Sequence, residues 1–225
     1  MKSKEYNLYR PQLLQLEQEE LARYAGLKAG TAFPEALLQE AGQTALLFAQ
    51  PQTVWSVYAY DNQQGIIKGA TDYVVPSLQL RRHLGQATQV VVLAATIGDG
   101  VEQAATAAFA DNRYTLGLLL DAAGTTLVEQ AANALGRFLT QRFAGRGFYL
   151  TPRFSPGYGD WDLGEQAKIV PLAEAAVIGV TLTTSLMLLP RKSITAVLGL
   201  QSAEAVVGPT ACELCHLREC TLRQA

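Results

Sequence analysis

Three groups of residues in this sequence have the types and spacing to do chemistry. The densest reads CELCHLREC and places Cys212, Cys215 and Cys220 at C-x2-C-x4-C, with His216 between them. Thiolates at that spacing can converge on zinc or an iron–sulfur cluster. The missing ligand would then come from His216, a solvent or substrate molecule, or a partner chain. A redox-sensitive or inert terminus accounts for the same cysteines, because a single C-x2-C arises readily by chance. The second group is RFSPGYGDWDLGEQAKI, residues 153–169. Arg153 offers a planar fork of donors suited to a carboxylate or phosphate. Ser155, Pro156 and Gly157 make a bend that can expose backbone amides and carbonyls. Gly157 and Gly159 would let a flat ligand approach, and Tyr158 and Trp161 can stack or exclude water. A connecting loop whose aromatics cap the core fits these residues equally well. The third group is Glu129, within LLLDAAGTTLVEQAANAL. An acid in so apolar a helix is costly to bury without a cation. It is either an exposed position or a carboxylate facing a ligand's ammonium or ribose hydroxyls, and Asp121 poses the same choice.

Other chemistries find no support. TIGDG (96–100) has neither GxGxxG spacing nor a GK[ST] to grip a phosphate, and reads as a strand-to-helix turn. The chain lacks GxSxG, HExxH and a cysteine with a distant catalytic histidine. His83, beside Arg81 and Arg82, reads as part of a solvated helix face and is given no role. A formal net charge of −2 leaves no electrostatic footprint for nucleic acid or an anionic membrane. No apolar stretch reaches the roughly 18–20 residues of a membrane span, and the polar, acidic N-terminus lacks a signal-peptide core. Three cysteines, all in the last fourteen residues, do not make a secreted disulfide framework. A cytoplasmic protein is expected.

Elements that would position these residues can be read along the chain. Leu13, Leu14, Leu16, Leu21 and Tyr24 have helical spacing, and a second helix is predicted from Pro34 through Ala49. TVWSVYAY (53–60) suits a strand, as do 72–75 and the continuous apolar run QVVVLAA (89–95). SLQLRRHL, opened by Ser77, reads as a helix. A long helix rich in small residues spans 114–143 and carries Glu129. After the loop come a helix over 163–178, a strand over 180–187 and another over 193–200. The 225 residues, 49% of them hydrophobic, can bury one sizeable core. We therefore expect a single α+β domain with a mixed or antiparallel sheet and packed helices over 1–205, helical through 1–50. A cysteine-containing tail, 206–225, would follow.

The residues RFSPGYG, then EQAKI, then IGVTLTTSLMLLPRKSIT (178–195) together resemble the activation domain of vitamin B12-dependent methionine synthase. The resemblance is strongest over about 151–200 and weaker through 115–140. It implies that domain's fold, binding of S-adenosylmethionine, and transfer of the ligand's methyl group to cobalamin after a one-electron reduction. It also implies roles: Arg153 and Glu129 contact the ligand, Pro156 and Gly157 match the family's bend, and Tyr158 stands between ligand and corrin; with Ser155 these are the expected S-adenosylmethionine-binding residues. The DxHxxG motif of the cobalamin domain is absent, so cobalamin would be held by a partner. The expected partners are a cobalamin-binding methionine synthase lacking its own activation domain and a flavodoxin-like electron donor; a homodimer is left open. The family's N-terminal Asp-Trp-x-Pro-Phe-Phe motif and its adenosine-holding aromatic pair have no counterpart. Asp160, Trp161 and Asp162 receive no role. The alternative is a metal or iron–sulfur redox module acting on another corrinoid protein.

Overall fold

The computed structural model describes residues 6–27 and 33–202. The N-terminal half runs β1 (Asn7–Tyr9), α1 (Gln18–Tyr24), α2 (Glu35–Phe48), β2 (Gln52–Asp61), β3 (Ile66–Lys68), β4 (Tyr73–Val74), α3 (Leu78–Leu84) and β5 (Gln89–Thr96). There follow α4 (Gly100–Ala110), α5 (Tyr114–Ala144), β6 (Tyr149–Leu150), α6 (Gln166–Leu172), the strands β7 (Thr181–Leu182) and β8 (Leu188–Leu189), and β9 (Ser193–Gln201). Seven strands form one sheet in the order β4-β3-β2-β5-β9-β6, with β1 added to the start of β2. Every pairing is antiparallel, so the expected α+β class holds.

The apolar runs of β5 and β9 follow from cover on both faces. Val90, Val92 and Ala94 point to one side, where α3, the 153–169 loop and α6 supply Leu80, Leu84, Phe154, Trp161 and Ile169. Val91 and Leu93 point to the other, against Leu135, Leu139 and Phe143 of α5. A strand covered twice loses the polar alternation of a half-exposed one. The first half of α5 leaves the sheet and packs among α1, α2 and α4 through Leu116, Leu120 and Leu127. One helix thus joins the sheet to a helical cluster, and Glu129 lies where the two meet.

Several boundaries differ from those expected. The helix over 163–178 is a 3₁₀ turn (Leu163–Glu165), then α6, then a second 3₁₀ turn (Ala175–Ile178). Pro171 lies within α6, and Glu174 takes a left-handed φ of 57° that ends the helical run. The strand over 180–187 is instead the hairpin of β7 and β8. Its turn forms because Thr183 Oγ1 accepts the Met187 amide at 3.0 Å while Leu186 turns to φ 65°. Helix α1 begins only at Gln18, and Pro34 caps α2 from outside it. Among the described residues no helix is long and apolar enough to cross a membrane. The boundary expected at 205 and the tail with Cys212, Cys215 and Cys220 lie outside the described residues.

Candidate functional site

Arg153 is aimed by the strand beside it. The chain from β6 onward runs antiparallel to β9: the Thr151 amide donates to the Gly199 carbonyl at 3.0 Å, and Gly199 returns its amide to Thr151 Oγ1 at 2.8 Å. Phe154 and Val197 then exchange both backbone bonds, at 3.0 and 2.8 Å. Phe154 is buried on the face that holds Trp161. Neighbouring side chains on extended backbone alternate, and Arg153 turns to the α5 face. There its Nη2 donates to Glu129 Oε2 at 3.0 Å and to Asn133 Oδ1 at 2.7 Å. Glu129 and Asn133 are one helical turn apart and share a face. The side chains of Arg153 and Glu129 are 23% and 32% exposed, so the pair faces solvent without being immersed in it. Among the described residues the Nε and Nη1 donors of Arg153 have no hydrogen-bond partner.

The bend is two tight turns in succession. The Tyr158 amide donates to the Ser155 carbonyl at 3.1 Å, and the Trp161 amide to the Tyr158 carbonyl at 2.9 Å. The Gly157 amide closes the loop onto the Trp161 carbonyl at 2.7 Å. Gly157 and Gly159 take φ of 93° and 55°, conformations that favour glycine. A side chain at Gly159 would also overlap the Gln79 side-chain oxygen, so the protein itself occupies the approach expected for a ligand there. Pro156 is buried and Ser155 partly so. Tyr158 is 45% exposed, its ring edge-on to Phe154 with centroids 6.3 Å apart.

The acids and tryptophan after the bend anchor it. Asp160 accepts from the Ser77 hydroxyl, from the Leu78 amide at 3.0 Å and from the Gln79 amide at 3.3 Å, closing the first turn of α3. Desolvation pushes its carboxyl up, but the bonds from Ser77, Gln79 and Leu78 outweigh it and hold it below the ordinary carboxylate range. Trp161 is 1% exposed and donates from Nε1 to the Tyr73 hydroxyl at 3.0 Å. Tyr73 in turn donates to Glu165 at 2.8 Å, and burial pushes that phenol well up. Asp162 accepts the Gly164 amide at 2.7 Å and opens the 3₁₀ turn.

His83 requires a correction. It is half-buried rather than fully solvated: its Nε2 donates to the Pro152 carbonyl at 2.6 Å and its ring packs 5.3 Å from that of Phe154. Burial lowers its pKa, against the opposing effect of the Pro152 bond. Asn133 was also unforeseen, although its i+4 spacing from Glu129 is visible in the sequence. A further wall comes from the N-terminus, where Gln130 binds the Gln15 carbonyl at 3.1 Å and the Glu17 amide at 3.3 Å. The Tyr24 phenol there is pushed up first by burial and then by the charge of Glu129.

The structure therefore brings Arg153 to Glu129, and sets Ser155, Pro156, Gly157 and Tyr158 along the same loop. A separate cleft lies elsewhere. It holds about 750 Å³ between α4 and residues 179–190, is lined by Glu102, Thr106, Thr181 and Pro190 among others, and shares no residue with the expected site. Among the described residues no cluster of histidine, cysteine and acidic side chains could hold a metal.

No protein-family model and no curated protein matches this sequence. A solved structure described as the MetH reactivation domain bound to AdoHcy is similar, with 15% identity and a TM-score of 0.55. The match covers 86% of this chain and 78% of that one. At that identity the likeness is one of fold, and the fold is the one the sequence resemblance implied.

Proposed function

We propose that this chain binds S-adenosylmethionine at Arg153 and Glu129 and presents its methyl group to the cobalamin of a separate protein. The observation that carries this reading is the guanidinium of Arg153, with two donor groups unused among the described residues and an acid beside it, on a fold whose solved neighbour is described with AdoHcy bound. The ligand's amino-acid end is a zwitterion. Arg153 supplies a planar fork for its carboxylate, and Glu129 a carboxylate for its ammonium. Tyr158 and the Gly157 bend would wall the sulfonium end and keep water from the methyl group.

The work of this chain is orientation, since an in-line approach to the methyl carbon is what a transfer of this kind demands. One electron from a flavodoxin-like donor would reduce the partner's cob(II)alamin to cob(I)alamin, which would take the methyl from the sulfonium and release S-adenosylhomocysteine. The partner is a cobalamin-binding methionine synthase without its own activation domain, met in the cytoplasm. Cys212, Cys215 and Cys220 are proposed as a separate zinc or iron–sulfur ligand set, which iron, sulfide and zinc analysis after anaerobic purification tests.

Isothermal calorimetry of the full chain with S-adenosylmethionine tests the central claim. Saturable binding is expected, and no heat at millimolar ligand would overturn the proposal. A reductive methylation assay with the cobalamin protein then tests presentation: methylcobalamin should form only when this chain, reductant and S-adenosylmethionine are all present.

A further inference from the structure

Helix α3 touches the ligand loop at two places, and they bracket it. At the first turn of the helix, Asp160 closes onto Ser77, Leu78 and Gln79. In its last turn, His83 holds the Pro152 carbonyl at 2.6 Å. Arg153 is the residue after Pro152, and Tyr158 lies two residues before Asp160, so both proposed working residues fall inside the bracketed span. Within it, Gln79 sits against Gly159, and the His83 ring packs on Phe154. The central part of the loop is held by its own turns, with Gly157 bonded to Trp161. Phe154 fixes the segment to β9 from the other side.

We propose that α3 is a clamp whose two ends, Asp160 through the Ser77 turn and His83 through the Pro152 carbonyl, position Arg153 and Tyr158 for the ligand. His83 and Asp160 are positioning residues: neither meets the ligand, and each acts through a residue that does. The physical reason is entropic. A loop rich in glycine samples many conformers, and one that holds a guanidinium in a single pose has already lost that freedom before the ligand arrives. The inference rests on the reading of the site given above.

Hydrogen exchange and ligand binding test it on His83→Phe, Asp160→Ala and the conservative Asp160→Asn, with thermal melts to show that each folds. His83→Phe keeps an aromatic ring on Phe154 and removes only the donor. The Gly157 and Trp161 amides should exchange about tenfold faster in His83→Phe and Asp160→Ala, as loss of one anchoring bond implies. Asp160→Asn, which retains an acceptor, should fall between these and the wild type. Unchanged exchange in both would overturn the clamp, and this arm needs no ligand. In binding, His83→Phe should weaken S-adenosylhomocysteine about tenfold and leave 5′-methylthioadenosine, which lacks the amino-acid end, within about twofold. Equal losses for both ligands would mean general loosening and would overturn positioning, as would no loss. If the wild type binds neither ligand, the proposed function fails, while the exchange result still decides whether α3 holds the loop.

Discussion

Helix α5 carries two acids that each meet a cation, and the two pairs are built differently. Asp121 lies 2.9 Å from Lys192 Nζ, which also donates to Thr125 Oγ1 at 2.9 Å, and the lysine side chain is only 11% exposed. The lysine's own carbonyl accepts the Ile97 amide at 3.2 Å, tying it to the end of β5. Arg191 adds a second cation, 3.9 Å from Asp121 and 3.5 Å from Glu102. This is a strut between helix and sheet, built with a compact ammonium already bonded to two protein groups. Arg153 meets Glu129 with one guanidinium nitrogen, and its other donors have no partner among the described residues. An ion pair on a helix does not itself mark a binding site. Spare donor capacity, held in one place, distinguishes the second pair from the first.

The sharpest way to break this distinction is to remove each cation and measure both affinity and stability. Arg153→Ala should lower S-adenosylmethionine affinity about a hundredfold, the scale of losing charged, two-pronged recognition of a carboxylate. Lys192→Met should leave that affinity within about twofold. Comparable losses from the two variants would erase the difference between site and strut. Glu129→Gln sharpens the comparison from the acid side. It keeps an acceptor but loses the charge facing the ligand's ammonium, and affinity should fall about tenfold in calorimetry. An S-adenosylmethionine analogue without its amino group should not separate that variant from the wild type. Stability should rank the other way. Lys192→Met removes the more buried cation and should lower the melting temperature by about 2–4 °C, with a smaller change in Arg153→Ala. A larger change in Arg153→Ala would make Arg153 the strut.

The contrast also shows what a single sequence can reveal. Strands β2, β5 and β9 and helix α5 were legible because composition alone specifies a long segment covered on one or both faces. Ser77 was legible as the start of α3, since a helix cap is a local interaction. The turn at Thr183 was not, because it contains no glycine, proline or asparagine, and its backbone bonds are completed by a threonine hydroxyl taking up the Met187 amide. The pairing of Arg153 with Glu129 was foreshadowed only as two residues facing one ligand, whereas the structure joins them directly. Asp160 and His83 were illegible for a plainer reason. Their partners, Ser77 and Pro152, lie 83 and 69 residues away along the chain, so the local sequence of His83 reads as a solvated helix face and that of Asp160 gives it no role. Asp121 and Glu129 looked alike in sequence. The family resemblance alone favoured Glu129, and the cation that tertiary structure brings to each acid gives the physical difference.

Acid gives the smallest and most specific test, because the loop carrying Arg153 is held by two groups whose titration is displaced. Burial lowers the His83 pKa from its ordinary 6.5. A half-buried histidine kept neutral by desolvation gives the unfolded state the greater proton affinity, so its contribution is complete above about pH 6.5 and is lost as pH falls through the lower folded value. The Asp160 carboxyl is held below its ordinary 3.8 by its hydrogen bonds, against desolvation. Its contribution is complete above about pH 3.8 and is lost as pH falls further. Protection of the Gly157 and Trp161 amides should therefore decline in two steps on acidification. The Ile97 amide, bonded beside the Lys192 strut, should not share the first step. His83→Phe should abolish the step that begins near pH 6.5 and leave the one below pH 4, shifting the melting temperature at pH 5.5 by only about one or two degrees. If the first step survives that substitution, His83 is not what makes the loop sensitive to acid. If Ile97 shares it, the two halves of α5 respond as one body and the contrast between them fails.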